Sequence, residues 1–276
     1  MWTLIAGPFV GEFGWELMGW HAHVRRRSRD YERTIAISRP EMEYLYRDFC
    51  DRFEPWSPES WWTQGYECRD GCPYDGSIHA RYPGADRMRI TRNRDAVGWV
   101  KTAESEFRRL GLDVEPPRTF DLVVHARAIP AFAGPDDEKA SRNWPAEEWH
   151  RLCAELARRF TIAAIGLPDL AIVPDGAVDC RDLPLDRQCA ILARARCALG
   201  PSSGPMHLAS LCGCPHLVWF VAEQGLPQRY ARDWNPLQTR VCMVAREGWR
   251  PSRALVLAGL RHLLTGAGTE VASITR

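Results

Sequence analysis

Along the chain, short runs of apolar residues alternate with segments whose apolar positions recur every three or four residues. "WTLIAG" from Trp2, "RTIAISR" from Arg33, "DRMRIT" from Asp86, "FDLVVHAR" from Phe120, "FTIAAIG" from Phe160, "CALG" from Cys197 and "HLVWFVA" from His216 read as strands, most of them buried on both faces. Helical patterns fall between them. One runs from about Trp15 to Arg27, one starts at Pro40 in "PEMEYLYRDFC", and one covers Asp95 to Leu110. Later come "PAEEWHRLCAELARRF", with proline at its first position and acids in its first turn, then "PLDRQCAILARAR" and "GPMHLASLCG". Strands alternating with helices predict an α/β chain with parallel sheets covered on both faces.

A length of 276 residues exceeds a comfortable single core of about 100–200 residues, so two domains are expected. "LDVEPPR" at 112–118 reads as the linker. The predicted division is an N-terminal domain over 1–116, a C-terminal domain over 117–250, and a closing helix within 251–276 that packs back on the first domain. In open parallel sheets ligands bind beyond the carboxyl ends of the strands, which directs attention to the loops there.

Bulk properties narrow the class. A hydrophobic content of 45%, 26% charged residues and a net charge of +1 describe an ordinary globular protein and exclude one that coats nucleic acid. Neither half is strongly polarised. No apolar run approaches the roughly 20 residues of a membrane span, and the N-terminus lacks the basic start of a signal peptide, so a cytoplasmic location is expected. Of the ten cysteines, Cys153, Cys189, Cys197 and Cys242 sit inside apolar patterns, where cysteine acts as a small hydrophobe. Cys68 and Cys72 form the only close loop-borne pair, and "CRDGC" has no second matching pair; reduced thiols are favoured over a structural zinc.

The least regular stretch between a predicted strand and helix is "GPSSGPMHLAS" from Gly200. A helix begins with amide N–H groups that no carbonyl satisfies, and its dipole adds positive potential there, so an anion is a natural partner. Gly204 lets a ligand approach the backbone, Ser202 and Ser203 can donate to phosphate oxygens, and His207 lies one turn in. An ordinary turn with serine as N-cap explains the same residues equally well.

This stretch resembles the "DSGxxHLA" signature of the heptosyltransferase-like glycosyltransferases of family 9. The similarity extends to "SRNWPAEEWHRLCAELARRFTIAAIG" and "RDLPLDRQCAILARARCALGPSSGPMHLAS", covering roughly Asp121 to Ala222. "VVHARA" is also similar to the His-x-Arg element of fucosyltransferases that use GDP-fucose. The N-terminal half matches only through a strand, a glycine-rich loop and a helix, and Ser202 stands where the family usually has Asp. The resemblance implies a GT-B-like fold, two Rossmann-like domains with parallel sheets facing a central cleft. It also implies an inverting, metal-independent transfer from a nucleotide-diphosphate sugar held by the C-terminal domain, with no cofactor.

Within that resemblance, Arg142 matches the phosphate-contacting basic position, and Arg127, Gly166, Ser202, Ser203, Gly204 and His207 complete the expected donor side. Guanidinium suits phosphate because its fork donates paired hydrogen bonds. The family's base is an acid in the glycine-rich loop, which points to Glu12 in the Gly11-Glu12 pair, with Glu16 as the competitor one turn later. Either acid could instead merely cap the following helix. Asp169 and Asp182 are further candidates for ribose or base contacts. No Asp-x-Asp pair occurs in the chain, so a metal-dependent reading lacks its usual ligand.

Two acceptors stay open. Trp56, Trp61, Trp62 and Tyr66 could stack on sugars or bases, or simply pin their loop. Arg25, Arg26, Arg27 and Arg29, with Arg87, Arg89, Arg92 and Arg94, could track DNA, dock acidic lipid-linked saccharides at a membrane surface, or be solvated. An envelope saccharide follows the resemblance; a hydroxymethylated base in DNA draws on the arginines. A non-catalytic nucleotide-sugar-binding module is a third reading. An NAD-dependent enzyme is disfavoured, since "GPFVGEFG" lacks the Gly-x-Gly-x-x-Gly spacing.

Overall fold

The computed structural model describes residues 2–9, 11–56, 80–88, 105–130, 141–221, 226–245, 247–265 and 272–273. The chain divides into two compact units, Met1–Phe107 and Arg108–Arg276.

The first unit is built on a four-stranded parallel sheet of β1 (Thr3–Ala6), β2 (Arg33–Ser38), β3 (Arg52–Pro55) and β4 (Asp86–Met88), in the order β3-β2-β1-β4. Leu4, Ile5 and Ala6 pair with Thr34, Ile35 and Ala36, and all of these side chains are buried. The run after β1 is helical as expected, with α1 (Phe13–Trp15) and α2 (His21–Ser28) joined through a π-helical turn at Glu16–Trp20. Pro40 opens a 3₁₀ segment, Pro40–Leu45, rather than an α-helix. β3 was not foreseen because "RFEP" has no apolar run; it lies at the sheet edge, where a proline-ended, charged strand is tolerated. Of the helix expected over Asp95–Leu110, positions 95–104 lie outside the described residues and 105–110 carry no regular structure.

Inside this unit a carboxylate is fully enclosed. Glu16 has no exposed surface, and its oxygens accept hydrogen bonds from Ser38 Oγ at 2.5 Å, Arg39 NH2 at 2.7 Å and the Tyr46 hydroxyl at 2.8 Å. A buried charge persists only when paired and hydrogen-bonded, and this one is both. The three partners come from the end of β2 and the 3₁₀ segment beyond it. Glu16 therefore clamps the first helical stretch to the second strand.

The second unit carries a seven-stranded parallel sheet. Its strands are β5 (Leu122–Val124), β6 (Ile162–Ala164), β7 (Ala177–Asp179), β8 (Cys197–Pro201), β9 (His216–Trp219), β10 (Val241–Val244) and β11 (Ala272–Ser273), in the order β11-β10-β9-β8-β5-β6-β7. The helices α3 (Ala146–Leu156), α4 (Leu185–Arg194) and α5 (Gly204–Cys212) follow the predicted order, with a short α6 (Leu226–Arg229) and α7 (Arg253–Thr265) beyond them. Trp144, Trp149 and Trp219 meet in the core with ring centroids 5.0, 5.5 and 5.4 Å apart.

Two of the expected boundary features can be placed within the second unit. The division falls at Phe107–Arg108, because the expected linker is tied to the second unit. Leu110 N–H donates to the Leu211 carbonyl at 3.0 Å, and Arg194 NH1 donates to the carbonyls of Gly111 and Val114 at 2.9 Å each. Within the second unit, Val256, Leu260 and Leu263 of α7 join the core of the sheet with Leu217, Trp219 and Cys242. Gly259 permits this, since a Cβ there would lie 2.4 Å from Leu217 Cδ1.

Two outcomes follow for stability. Glu16→Ala leaves Arg39 buried without its carboxylate and should cost about 3–5 kcal/mol in urea unfolding; a loss under about 1 kcal/mol would refute the clamp. Trp149→Ala should cost about 3–5 kcal/mol through the cavity it opens.

Candidate functional site

In the second unit the chain winds from β5 to β6 to β7 on one side, then returns to place β8 on the other side of β5. The connections after β5 and β8 therefore leave in opposite directions, and the space between their carboxyl ends is where an open parallel sheet admits a ligand. The residues past β5 are His125 to Arg127, and those past β8 are Ser202 to Gly204. Gly200 lets the two strand ends approach: a Cβ there would meet the His125 carbonyl at 3.1 Å and Met206 Sδ at 3.0 Å.

Ser203 is the N-cap of α5, yet its hydroxyl caps nothing. It lies 2.9 Å from His125 Nδ1 instead. The amides of Ser203 and Gly204 have no hydrogen-bond partner among the described residues, and Ser202, Ser203 and Gly204 are half-buried at the head of a nine-residue helix. That is the arrangement that attracts an anion. His125 is buried, and burial, then the neighbouring Arg127 charge, lowers its pKa to about 3. Its imidazole is neutral at ordinary pH.

Gly166 acts sterically. Its φ of +124° and its place against the His125 ring, where a Cβ would come 3.0 Å from Cδ2, both require glycine. Arg127, only 6% exposed, donates from NH1 to Asn143 Oδ1 at 2.7 Å. Asn143 also accepts from Ile129 N–H at 3.1 Å and donates from Nδ2 to the Ile129 carbonyl at 2.8 Å. Beside it, the half-buried Arg142 guanidinium lies 5.1 Å from the Trp249 ring centre. The structure thus brings Gly166 and Ser203 to the His125 ring, ties Arg127 to Asn143, and sets Arg142 over Trp249.

His207 is placed differently from its expectation as a ligand. Its ring is buried and stacked on Trp234, with centroids 4.4 Å apart and planes inclined by 14°, and burial lowers its pKa to about 3. Asp169 and Asp182 are exposed on the loops after β6 and β7.

In the first unit, Glu12 lies in the loop past the carboxyl end of β1, beside the point where β4 lies on the other side of that strand. It is half-buried and stands at the N-cap of α1, but its side chain makes no capping hydrogen bond. The capping role foreseen for it is thus not the one it plays, and Glu16 is enclosed by its three donors. Of the arginines expected to meet a polyanion, Arg25, Arg26, Arg27 and Arg29 are partnered by the unit's own acids. Arg25 forms a two-pronged pair with Asp48 at 2.5 and 2.9 Å, Arg27 reaches Asp30 at 3.5 Å, and Arg29 reaches Glu106 at 2.5 Å. Trp56 packs against Ile5, Ile35 and Ile37. Trp61, Trp62, Tyr66, Cys68, Cys72, Arg89, Arg92 and Arg94 lie outside the described residues. Among the described residues no group of three or more His, Cys, Asp and Glu is placed to hold a metal, and no helix is long and apolar enough to cross a membrane.

Sequence reasoning missed the supporting role of Asn143 and the partnership of His125 with Ser203. Their signal was present in "SRNW" and "VVHARA", but neither residue's contact can be read along the chain.

Four buried histidines give a pH prediction. Burial lowers His125 and His207 to about 3, and His21 and His216 to about 4, from the ordinary 6.5. Unfolded chains take up these protons first, so stability is complete above about 6.5 and falls as pH drops toward 4. The expected slope is about 1 kcal/mol per pH unit for each histidine, read from urea midpoints. His216→Asn should reduce that slope; an unchanged slope would contradict its burial as the neutral form.

No protein-family model matches the sequence, and none of the curated proteins compared with it does either. Solved structures do. E. coli heptosyltransferase WaaC with ADP aligns over 95% of this chain and 100% of its own, at 11% identity and a TM-score of 0.56. The family 9 glycosyl transferase from Veillonella parvula DSM 2008 aligns over 96% and 97%, at 12% identity and a TM-score of 0.57. E. coli ADP-heptose LPS heptosyltransferase II aligns over 96% and 99%, at 12% identity and a TM-score of 0.58. Its two parallel sheets, their helices and this agreement over nearly the whole chain give the protein the GT-B fold of the heptosyltransferase and family 9 glycosyltransferase structures.

Proposed function

We propose that this chain is a glycosyltransferase that moves a sugar from a nucleotide-diphosphate donor to an acceptor hydroxyl, inverting the anomeric centre and using no metal ion. The observation that carries the reading is the pair of unbonded amides at Ser203 and Gly204, heading α5 between the ends of β5 and β8 and accompanied by Arg127 and the Ser203 hydroxyl. The presence of ADP in the similar WaaC structure supports a nucleoside diphosphate as the group bound there.

Transfer requires two things of the protein. Negative charge that develops on the departing diphosphate must be stabilised, and a proton must leave the acceptor hydroxyl. Helix-end amides and the Arg127 guanidinium supply the first without reorganising. Arg142 adds a second cation on the neighbouring segment. The carboxylate of Glu12 supplies the second. A single displacement, with the hydroxyl attacking the anomeric carbon opposite the leaving oxygen, inverts that centre.

A saccharide is the acceptor we favour. Among the described arginines, Arg25, Arg27 and Arg29 are paired with acids of their own unit, which weakens the case for a DNA acceptor.

A panel of nucleotide sugars read by thermal shift identifies the donor, because a ligand bound by the folded state raises apparent stability. With that donor, Glu12→Gln should lower turnover by about 100-fold or more while leaving donor affinity within twofold. Unaltered turnover removes Glu12 as the base. Arg127→Ala should weaken nucleoside diphosphate binding by about 10-fold in calorimetry. Binding of a donor without any transfer would instead mark a nucleotide-sugar-binding module.

A further inference from the structure

His125 is the first residue past β5, and its ring is held in one place. Its backbone N–H donates to the Leu199 carbonyl at 3.0 Å, and its carbonyl accepts from the Arg127 N–H at 2.9 Å. Two glycines close on it. A Cβ at Gly166 would lie 3.0 Å from the ring Cδ2 and 3.3 Å from Nε2, and a Cβ at Gly200 would lie 3.3 Å from the His125 Cβ. Gly166 is fixed in turn by its N–H, which donates to Gln188 Oε1 at 3.3 Å. Only 5% of His125 is exposed. The ring therefore presents Nδ1 to Ser203 Oγ, 2.9 Å away, in a single orientation.

One hydrogen lies between these two atoms, and either atom can own it. Neutral imidazole carries a hydrogen on one ring nitrogen and a lone pair on the other. Burial keeps this ring neutral, with its pKa lowered to about 3. If the Ser203 O–H donates to Nδ1, the ring hydrogen must sit on Nε2, against Gly166, with no acceptor among the described residues. If Nδ1–H donates to Oγ, only a lone pair is left at Nε2, and the hydrogen without a protein partner is the serine's. Ser203 is half-buried at the head of α5, where its hydroxyl caps nothing and its amide has no partner among the described residues. The second arrangement puts the spare donor where water or a solute can accept from it. The first encloses it, and a buried donor without an acceptor forfeits its hydrogen bond to water.

We propose that His125 is a positioning residue: as the Nδ1–H tautomer it donates to Ser203 Oγ and thereby makes the serine hydroxyl a donor to an anion's oxygen. The hydroxyl then joins the amides of Ser203 and Gly204 as a third donor at the helix head, instead of presenting lone pairs that repel an anion. A bond that merely stapled the strand ends together would work with the hydrogen on either atom. That the anion is a sugar donor's diphosphate rests on the glycosyltransferase reading; the place of the hydrogen does not.

Two measurements on the full chain test this. In histidine-labelled protein, two-bond proton–nitrogen correlation spectra show which ring nitrogen carries the hydrogen, and Ser203→Ala identifies the His125 signals as those that shift. Calorimetry then titrates inorganic pyrophosphate, UDP, GDP and ADP into the wild type, Ser203→Ala, His125→Asn, His125→Phe and the double variant of His125→Phe with Ser203→Ala. The His125 hydrogen should sit on Nδ1, with and without pyrophosphate. Ser203→Ala and His125→Phe should each weaken pyrophosphate binding by about 10-fold, and the double variant should bind no more weakly than Ser203→Ala alone. His125→Asn, whose amide can donate to Oγ, should recover most of the loss. A hydrogen on Nε2 overturns the proposal, and that result needs no variant to fold. So does a double variant in which the two losses multiply, as independent structural damage would make them. So does His125→Asn binding as weakly as His125→Phe, or a wild type that binds none of these ligands. The expected pattern with pyrophosphate but no transfer from any nucleotide sugar keeps the role of His125 and rejects the glycosyltransferase; transfer by a protein whose His125 hydrogen sits on Nε2 does the reverse.

Discussion

A parallel sheet whose strand order reverses in the middle cannot close over its own carboxyl edge, and most of the candidate chemistry follows from that constraint. In the second unit the reversal lies between β5 and β8. The chain leaves β8 directly into a helix, so the first amides of α5 face the opening with no carbonyl to bond. Glycine stands at 200 because a Cβ there would press on the His125 carbonyl and on Met206 where the two strand ends approach. The same rule places Glu12 beyond β1 in the first unit, where β2 and β4 flank that strand.

Much of this was legible along the chain, for reasons that differ by element. The strands after residue 120 read clearly because both faces of their sheet are buried, so they are apolar throughout: Leu122, Val123 and Val124 each have 1% exposure or less. β3 was illegible because an edge strand need not be apolar. The contact-based division at Phe107–Arg108 differs from the expected boundary at 116 for a related reason. "LDVEPPR" has the composition of a linker, but Arg194, 80 residues further on in a helix, fastens the Val114 carbonyl within it. Long-range side-chain-to-backbone bonds leave no local trace.

The two acids near the N-terminus show the same division at the level of a site. Glu12 and Glu16 are chemically alike and four residues apart, and both lie where a base or a helix cap could be expected. Only the surroundings tell them apart: three donors enclose Glu16, while Glu12 stands half-buried at a helix start it does not cap. Conversely, Ser203 was recognised as a helix start, and its hydroxyl turned out to serve His125 across the strand ends. Residue type and spacing located these positions; the partner of each was set by strands that meet only in the folded sheet.

Among the described residues around the head of α5, His125 is the one titratable side chain in hydrogen-bond contact with Ser203. With the imidazole of His125 kept uncharged by its burial, the local positive potential comes from guanidinium and peptide dipoles, none of which titrates in the range a cell experiences. Under the proposed reading, the described groups at that helix head would lend the binding of an oxyanion no pH dependence of their own, and the ligand's last ionisation would be left to set it.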